Sequence, residues 1–157
     1  MKKEFVSLSL LIAASVAAFP LMAATGSISE TPLSAQIRFV YSDGSSTPAL
    51  NQFYASATKF PSGTLSKTKK LTQVNYSVAS YPTAYTESVD ICYYLPYQTS
   101  PTKCIIVPKG TSGTTAQFNE LRFNHGVRIQ IQHKLTGKPG ENLHPLQKES
   151  ITWEYTY

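Results

Sequence analysis

Cys92 and Cys104 are the only cysteines in the chain, and each lies in a short, apolar, β-rich run. Val89 to Leu95 carries the first and Cys104 to Val107 the second, with a polar loop containing Pro96 and Pro101 between them. Two β runs separated by a proline-bearing loop read as a hairpin. A disulfide across that hairpin removes loop entropy from the unfolded chain, for about 3 kcal/mol in so small a ring. A redox-active pair would prefer Cys-x-x-Cys at a helix start, and the spacing here is far wider. Two thiols without neighbouring histidines are also too few ligands for a structural metal. The pair is expected to be a staple.

The start of the chain says where such a staple could persist. Lys2 and Lys3 form a basic patch, Phe5 to Phe19 is apolar, Pro20 breaks the run, and Ala23 and Ala24 offer a small-residue cleavage site. This is the pattern of a secretory leader, and the apolar stretch is short for a bilayer crossing of about 20 residues. The expectation is a cleaved leader over residues 1–24 and one domain over 25–157, periplasmic or secreted, with no membrane span after cleavage. Disulfides persist in that compartment. The formal charge of the whole chain is +5. Its cations are dispersed apart from a local group at Lys67, Lys69 and Lys70, and nucleic-acid binding would require a denser basic face. No nucleic-acid partner and no cofactor are expected.

Beyond the leader the chain is a series of short alternating runs. Ile37, Phe39 and Tyr41 alternate with Arg38, followed by an Asp43-Gly44 turn. Phe53 and Phe60 mark a weaker run over 51–60. Val74, Tyr76 and Val78 alternate with Gln73, Asn75 and Ser77. Val89, Ile91, Tyr93 and Leu95 oppose Asp90, Cys92 and Tyr94. Gly110 to Thr115 reads as a loop, and Gln117 to Phe123 as a strand or one helical turn. Val127, Ile129, Ile131 and His133 oppose Arg128, Gln130 and Gln132, and Ile151, Trp153, Tyr155 and Tyr157 alternate with Thr152, Glu154 and Thr156. Many short strands punctuated by turns predict an all-β domain, a small antiparallel β-sandwich or, alternatively, a small β-barrel, with one disulfide. The aromatic last strand should be paired inside a sheet.

Catalytic constellations are hard to assemble. No serine sits in a nucleophile elbow, and no base is placed beside a candidate nucleophile. His125 and His133 would lie about 26 Å apart along a straight strand, so neither these nor His144 suggest a metal site, and all three read as solvated or edge residues. The expectation is a non-enzymatic protein. Tyrosines instead concentrate in the middle of the chain. Tyrosine supplies rigid contact area at little entropic cost. Strand parity sends Tyr76 and Tyr93 inward, which leaves Tyr85, Tyr94 and Tyr97 as the candidate binding surface for a protein or a glycan. The stretch Lys134 to Lys148 is long for a hairpin loop, and loops of that length often carry function.

One resemblance runs through the second half. Ser112-Gly-Thr-Thr115 followed by Phe118, a β stretch, a Gly/Pro-containing loop with Pro145, and Ser150-Ile-Thr-Trp-Glu-Tyr155 resemble the C-terminal half of the flagellar protein FlhE family. The strand with paired cysteines also has a counterpart there, so the resemblance covers roughly residues 89–155. It implies a small periplasmic β-sandwich accessory to the flagellum, acting by protein binding at the export apparatus or rod, with no catalytic residues. The rival expectation is a secreted or surface binding protein, either a fimbrial or adhesin-like subunit or a module that binds sugar or a toxin. Fimbrial subunits carry an aromatic residue at the penultimate position. Here Thr156 stands between Tyr155 and Tyr157, which places the aromatics on the wrong face by one residue.

Overall fold

The computed structural model describes residues 23–157. The leader expected over 1–24 lies outside the described residues as far as residue 22. In chain order the strands are β1 (Thr25–Ser29), β2 (Leu33–Ser34), β3 (Arg38–Phe39), β4 (Ala49–Tyr54), β5 (Lys70–Ser77), β6 (Thr86–Tyr94), β7 (Lys103–Val107), β8 (Ser112–Thr115), β9 (Arg128–Thr136), β10 (Asn142–Leu143) and β11 (Lys148–Thr156). One sheet has the order β1-β11-β5-β8, with β2 pairing the beginning of β11. The other has the order β4-β9-β6-β7, and β3 forms a small ribbon with β10. All pairings are antiparallel. The two main sheets share the larger apolar core, a second smaller cluster gathers Val40, Ala79, Tyr81, Leu135 and Leu143, and the sheets do not close into a barrel.

The core follows from the alternation. Ile129 and Ile131 of β9, Val89, Ile91 and Tyr93 of β6, and Ile151, Trp153 and Tyr155 of β11 are all buried. Strand side chains alternate faces, so each of these strands delivers one stripe to the interior. As expected, β11 is an inner strand, with β1 on one side and β5 on the other. In β5, both Leu71 and Val74 point inward despite opposite parity. The pairing slips at Glu154/Tyr155, where Tyr155 meets Leu71 and Glu154 meets Gln73. That bulge resets the face of β5.

Gly26 of β1 pairs with Tyr155. A Cβ at Gly26 would stand 2.5 Å from the Tyr155 ring, so only glycine lets the ring pack flat against the backbone. Gly26→Ala should therefore cost about 1–3 kcal/mol through overpacking. Urea unfolding followed by Trp153 fluorescence would measure it. A loss below about 0.5 kcal/mol, within the range of ordinary surface substitutions, would mean that β1 shifts without penalty.

Sequence expectations are corrected at several points. Lys134 to Lys148 is not one loop, because β9 runs on to Thr136, Asn142–Leu143 form β10 and β11 begins at Lys148. Ile37, Phe39 and Tyr41 alternate, but their face is the outer one: all three are exposed, while the intervening Val40 is fully buried. Gly110 to Thr115 is not all loop, because residues 112–115 form β8 and pair with β5. Within the Lys67–Lys70 group the side chains differ in their surroundings. The Lys69 ammonium turns inward and donates to the carbonyls of Thr64, Leu65 and Lys67 at 2.7, 3.1 and 2.9 Å. Burial pulls its pKa below the ordinary lysine value.

Candidate functional site

The β6–β7 hairpin is stapled as expected. Cys92 and Cys104 stand directly opposite each other with Cα atoms 4.0 Å apart and are disulfide-bonded. Cys92 is buried and Cys104 is exposed. Beyond the staple the chain turns at Leu95-Pro96-Tyr97-Gln98, where the Gln98 N–H donates to the Leu95 carbonyl at 3.2 Å. Pro96 supplies the φ suited to the second position of such a turn. The third position carries a positive φ of 64° at Tyr97, where glycine would be the relaxed choice. Tyr97 is the one non-glycine residue with positive φ among the described residues, and its side chain is fully exposed.

The rest of the loop is anchored. Thr102 donates its N–H to the Tyr93 carbonyl at 2.8 Å, and its hydroxyl to Gln98 Oε1 at 3.0 Å. Arg128 of β9 lies over the Tyr94 ring, 4.1 Å from its centroid, and donates to the Gln98 carbonyl at 3.2 Å. Cation–π stacking and a charge-assisted hydrogen bond thus fix the loop to the neighbouring strand. Gly126, with φ +82°, backs onto Pro96, where a Cβ would approach to 3.3 Å. The result is a rigid tip that displays one strained aromatic residue.

The three tyrosines proposed from sequence do not share a surface. Tyr94 is only 6% exposed, because the Arg128 guanidinium covers its ring, so it supports the site without forming part of the surface. Tyr85 is 69% exposed but precedes β6, whereas Tyr97 follows it. The nine residues of β6 span about 30 Å at 3.3 Å each, which places the two exposed rings at opposite ends of the sandwich.

A buried polar group escaped the sequence reading altogether. His133, expected at an edge or in solvent, is fully buried and lies between two carboxylates. Its Nδ1 is 2.9 Å from Glu87 Oε1 and its Nε2 is 2.5 Å from Glu149 Oε1. Glu149 also accepts from Asn51 Nδ2 at 2.7 Å and from the Ala79 N–H at 3.2 Å. Glu87 accepts from the Tyr81 N–H at 3.0 Å, with Lys109 Nζ at 3.8 Å near the surface. The Tyr81 ring packs edge-on against the imidazole, centroid to centroid 5.2 Å. Burial pulls the His133 pKa down. The hydrogen bonds the ring donates to Glu149 and Glu87, together with their negative charges, more than offset this and bring it up to about 9. With both ring nitrogens facing acceptors, the imidazole satisfies both contacts only as the doubly protonated cation. Because β6 and β9 belong to one sheet and β11 to the other, this ion triple ties the two layers together at one end of the core. It is sealed beneath Tyr81, so it is a structural clasp and not a site open to substrate.

No protein-family model matches this chain, and a search of curated proteins finds no match.

Proposed function

We propose that this is a non-enzymatic, exported binding protein that engages another protein through the tip of its disulfide-stapled hairpin. The observation that carries the reading is Tyr97. A bulky residue held at φ 64° is strained, and such strain persists only where the surroundings over-determine it, commonly at functional positions. Here the strain serves to present an aromatic ring to solvent on a pre-organised loop. Aromatic side chains are preferred anchors of protein interfaces, and rigidity lowers the entropy lost on binding.

The resemblance of residues 89–155 to the FlhE family favours a partner among flagellar components at the export apparatus or rod. Against the fimbrial alternative stands the position of β11. Both of its edges are occupied, by β1 and β2 on one side and β5 on the other. A fold completed by a strand from another chain would leave such an edge open.

The test is complementation of a deletion strain, scored for swimming and for proton leak across the inner membrane. Impaired swimming and a raised proton leak on deletion, both rescued by the wild-type gene, are expected; an unaffected deletion strain removes the flagellar assignment. Tyr97→Gly separates the tip from the fold. It should leave stability unchanged or raise it by up to about 1 kcal/mol, since glycine tolerates positive φ, and yet fail to complement. Full complementation by Tyr97→Gly would show that the tip is not the contact.

A further inference from the structure

The end of the sandwich opposite Tyr97 holds a second arrangement with the chemistry of a binding site. A shallow cleft of about 450 Å³ is lined by Ser42, Asp43, Ser45, Tyr85, Thr136 and Pro139. Its walls are fixed by backbone hydrogen bonds. The turn after Tyr41 is closed by Tyr41 N–H to the Ser45 carbonyl at 2.8 Å and by Gly44 N–H to the Tyr41 carbonyl at 3.0 Å. That turn is joined to the end of β9 by Gly137 N–H to the Gly44 carbonyl at 3.0 Å. On the other wall, Tyr85 N–H donates to the Thr136 carbonyl at 2.8 Å, so the ring is exposed on an anchored backbone.

The polar groups in this cleft are only half used. Asp43 Oδ1 accepts from both the N–H and the hydroxyl of Ser45, at 2.9 and 2.7 Å. Those bonds hold the carboxyl below its ordinary pKa, and no donor among the described residues reaches Oδ2. Lys138 beside the cleft is paired with Glu141 at 2.8 Å, so it adds no free positive charge. A flat aromatic face, an ionised acceptor and neighbouring hydroxyls match a molecule with one apolar face and several O–H donors. That description fits a sugar ring.

The buried ion triple lies under this same end. Glu87 holds the Tyr81 N–H, and the turn from Tyr81 to Ala84, closed at 3.0 Å, leads directly into Tyr85. A buried ion triple holds its members in one geometry, and removing any member leaves a buried charge uncompensated. What is fixed here is the loop that presents Tyr85.

We infer that the cleft between the Asp43 turn and Tyr85 binds a neutral saccharide, with the Tyr85 ring stacking on the sugar's apolar face and Asp43 accepting from its hydroxyls. This site is independent of the protein contact at Tyr97. A shallow, open cleft sets the expected dissociation constant on the order of 1 mM.

Saturation-transfer NMR on the full mature chain tests this with three probes: maltotriose, chitotriose and trigalacturonate. Transfer to maltotriose or chitotriose is expected, and not to trigalacturonate, whose carboxylates Asp43 repels. Tyr85→Ala and Asp43→Asn should each weaken binding at least tenfold. Tyr85 is exposed and Asn keeps an Oδ1 acceptor for Ser45, so the melting temperature of each variant should stay close to the wild type. Tyr97→Gly should bind sugar as the wild type does. The inference is overturned if neither neutral sugar shows transfer, if trigalacturonate binds best, or if Tyr85→Ala binds as well as the wild type.

Discussion

His133→Ala should destabilise the domain by about 3–5 kcal/mol, the range for removing one partner of a buried ion pair. The loss comes less from the missing ring than from what it leaves behind. Glu87 and Glu149 would keep their other donors but face each other across a buried gap in which their charges have lost a shared counter-ion. The same clasp gives the wild type a defined alkaline limb. The folded-state pKa of His133 is about 9, above its ordinary 6.5. Its contribution is therefore fully present below pH 6.5 and is lost as pH rises through about 9. The interval corresponds to about 3 kcal/mol. Urea midpoints followed by Trp153 fluorescence between pH 6 and 10 would show this slope in the wild type and not in His133→Gln. A wild-type slope no steeper than the variant's would refute it. A double-mutant cycle between His133 and Glu149 should give a coupling well outside additivity.

Removing the disulfide should cost nearly as much. Cys92 and Cys104 close a ring with a sequence separation of 12, for which chain entropy predicts about 3 kcal/mol. Cys92→Ser, or reduction of the bond, should lower the urea midpoint accordingly. The loosening should be greatest at the hairpin tip, because the staple and the Arg128 clamp are what hold Tyr97 in its unfavourable backbone conformation. Amide exchange at Tyr97 and Gln98 should therefore rise more than exchange in β9. An unchanged midpoint with and without reductant would show that the bond carries no stability.

The all-β class and the disulfide were legible because their signals are local. Alternation in β6, β9 and β11 survives whatever the neighbours do, and two cysteines leave one pairing. What alternation does not report is which face is the inner one. Ile37, Phe39 and Tyr41 form as regular a stripe as Ile129 and Ile131, yet they lie outside, since β3 is part of a two-residue ribbon and not of either main sheet. Tyr94 was misjudged for a related reason. Its parity is outward, as expected, but Arg128, from a strand distant in sequence, covers it.

The ion triple did leave a trace. Glu87 continues the inward stripe of Val89, Ile91 and Tyr93, His133 that of Ile129 and Ile131, and Glu149 that of Ile151 and Trp153. Three strands each extend an apolar stripe by one ionisable residue of matching parity. Nothing in the sequence aligns those strand ends, so the coincidence becomes visible only once the register is known.

The placement of β11 sets the timetable of folding. This strand comes last in the chain, yet it lies between β1 and β5 and supplies Trp153 to the core. Thr25 of β1 pairs with Thr156 of β11, so the first strand of the domain is closed by the last. The first sheet therefore has no middle until β11 arrives, and its contacts are long-range in sequence, a topology that folds in milliseconds to seconds. For the exported protein proposed here, the emerging chain stays unable to lock while its final strand is still behind the membrane.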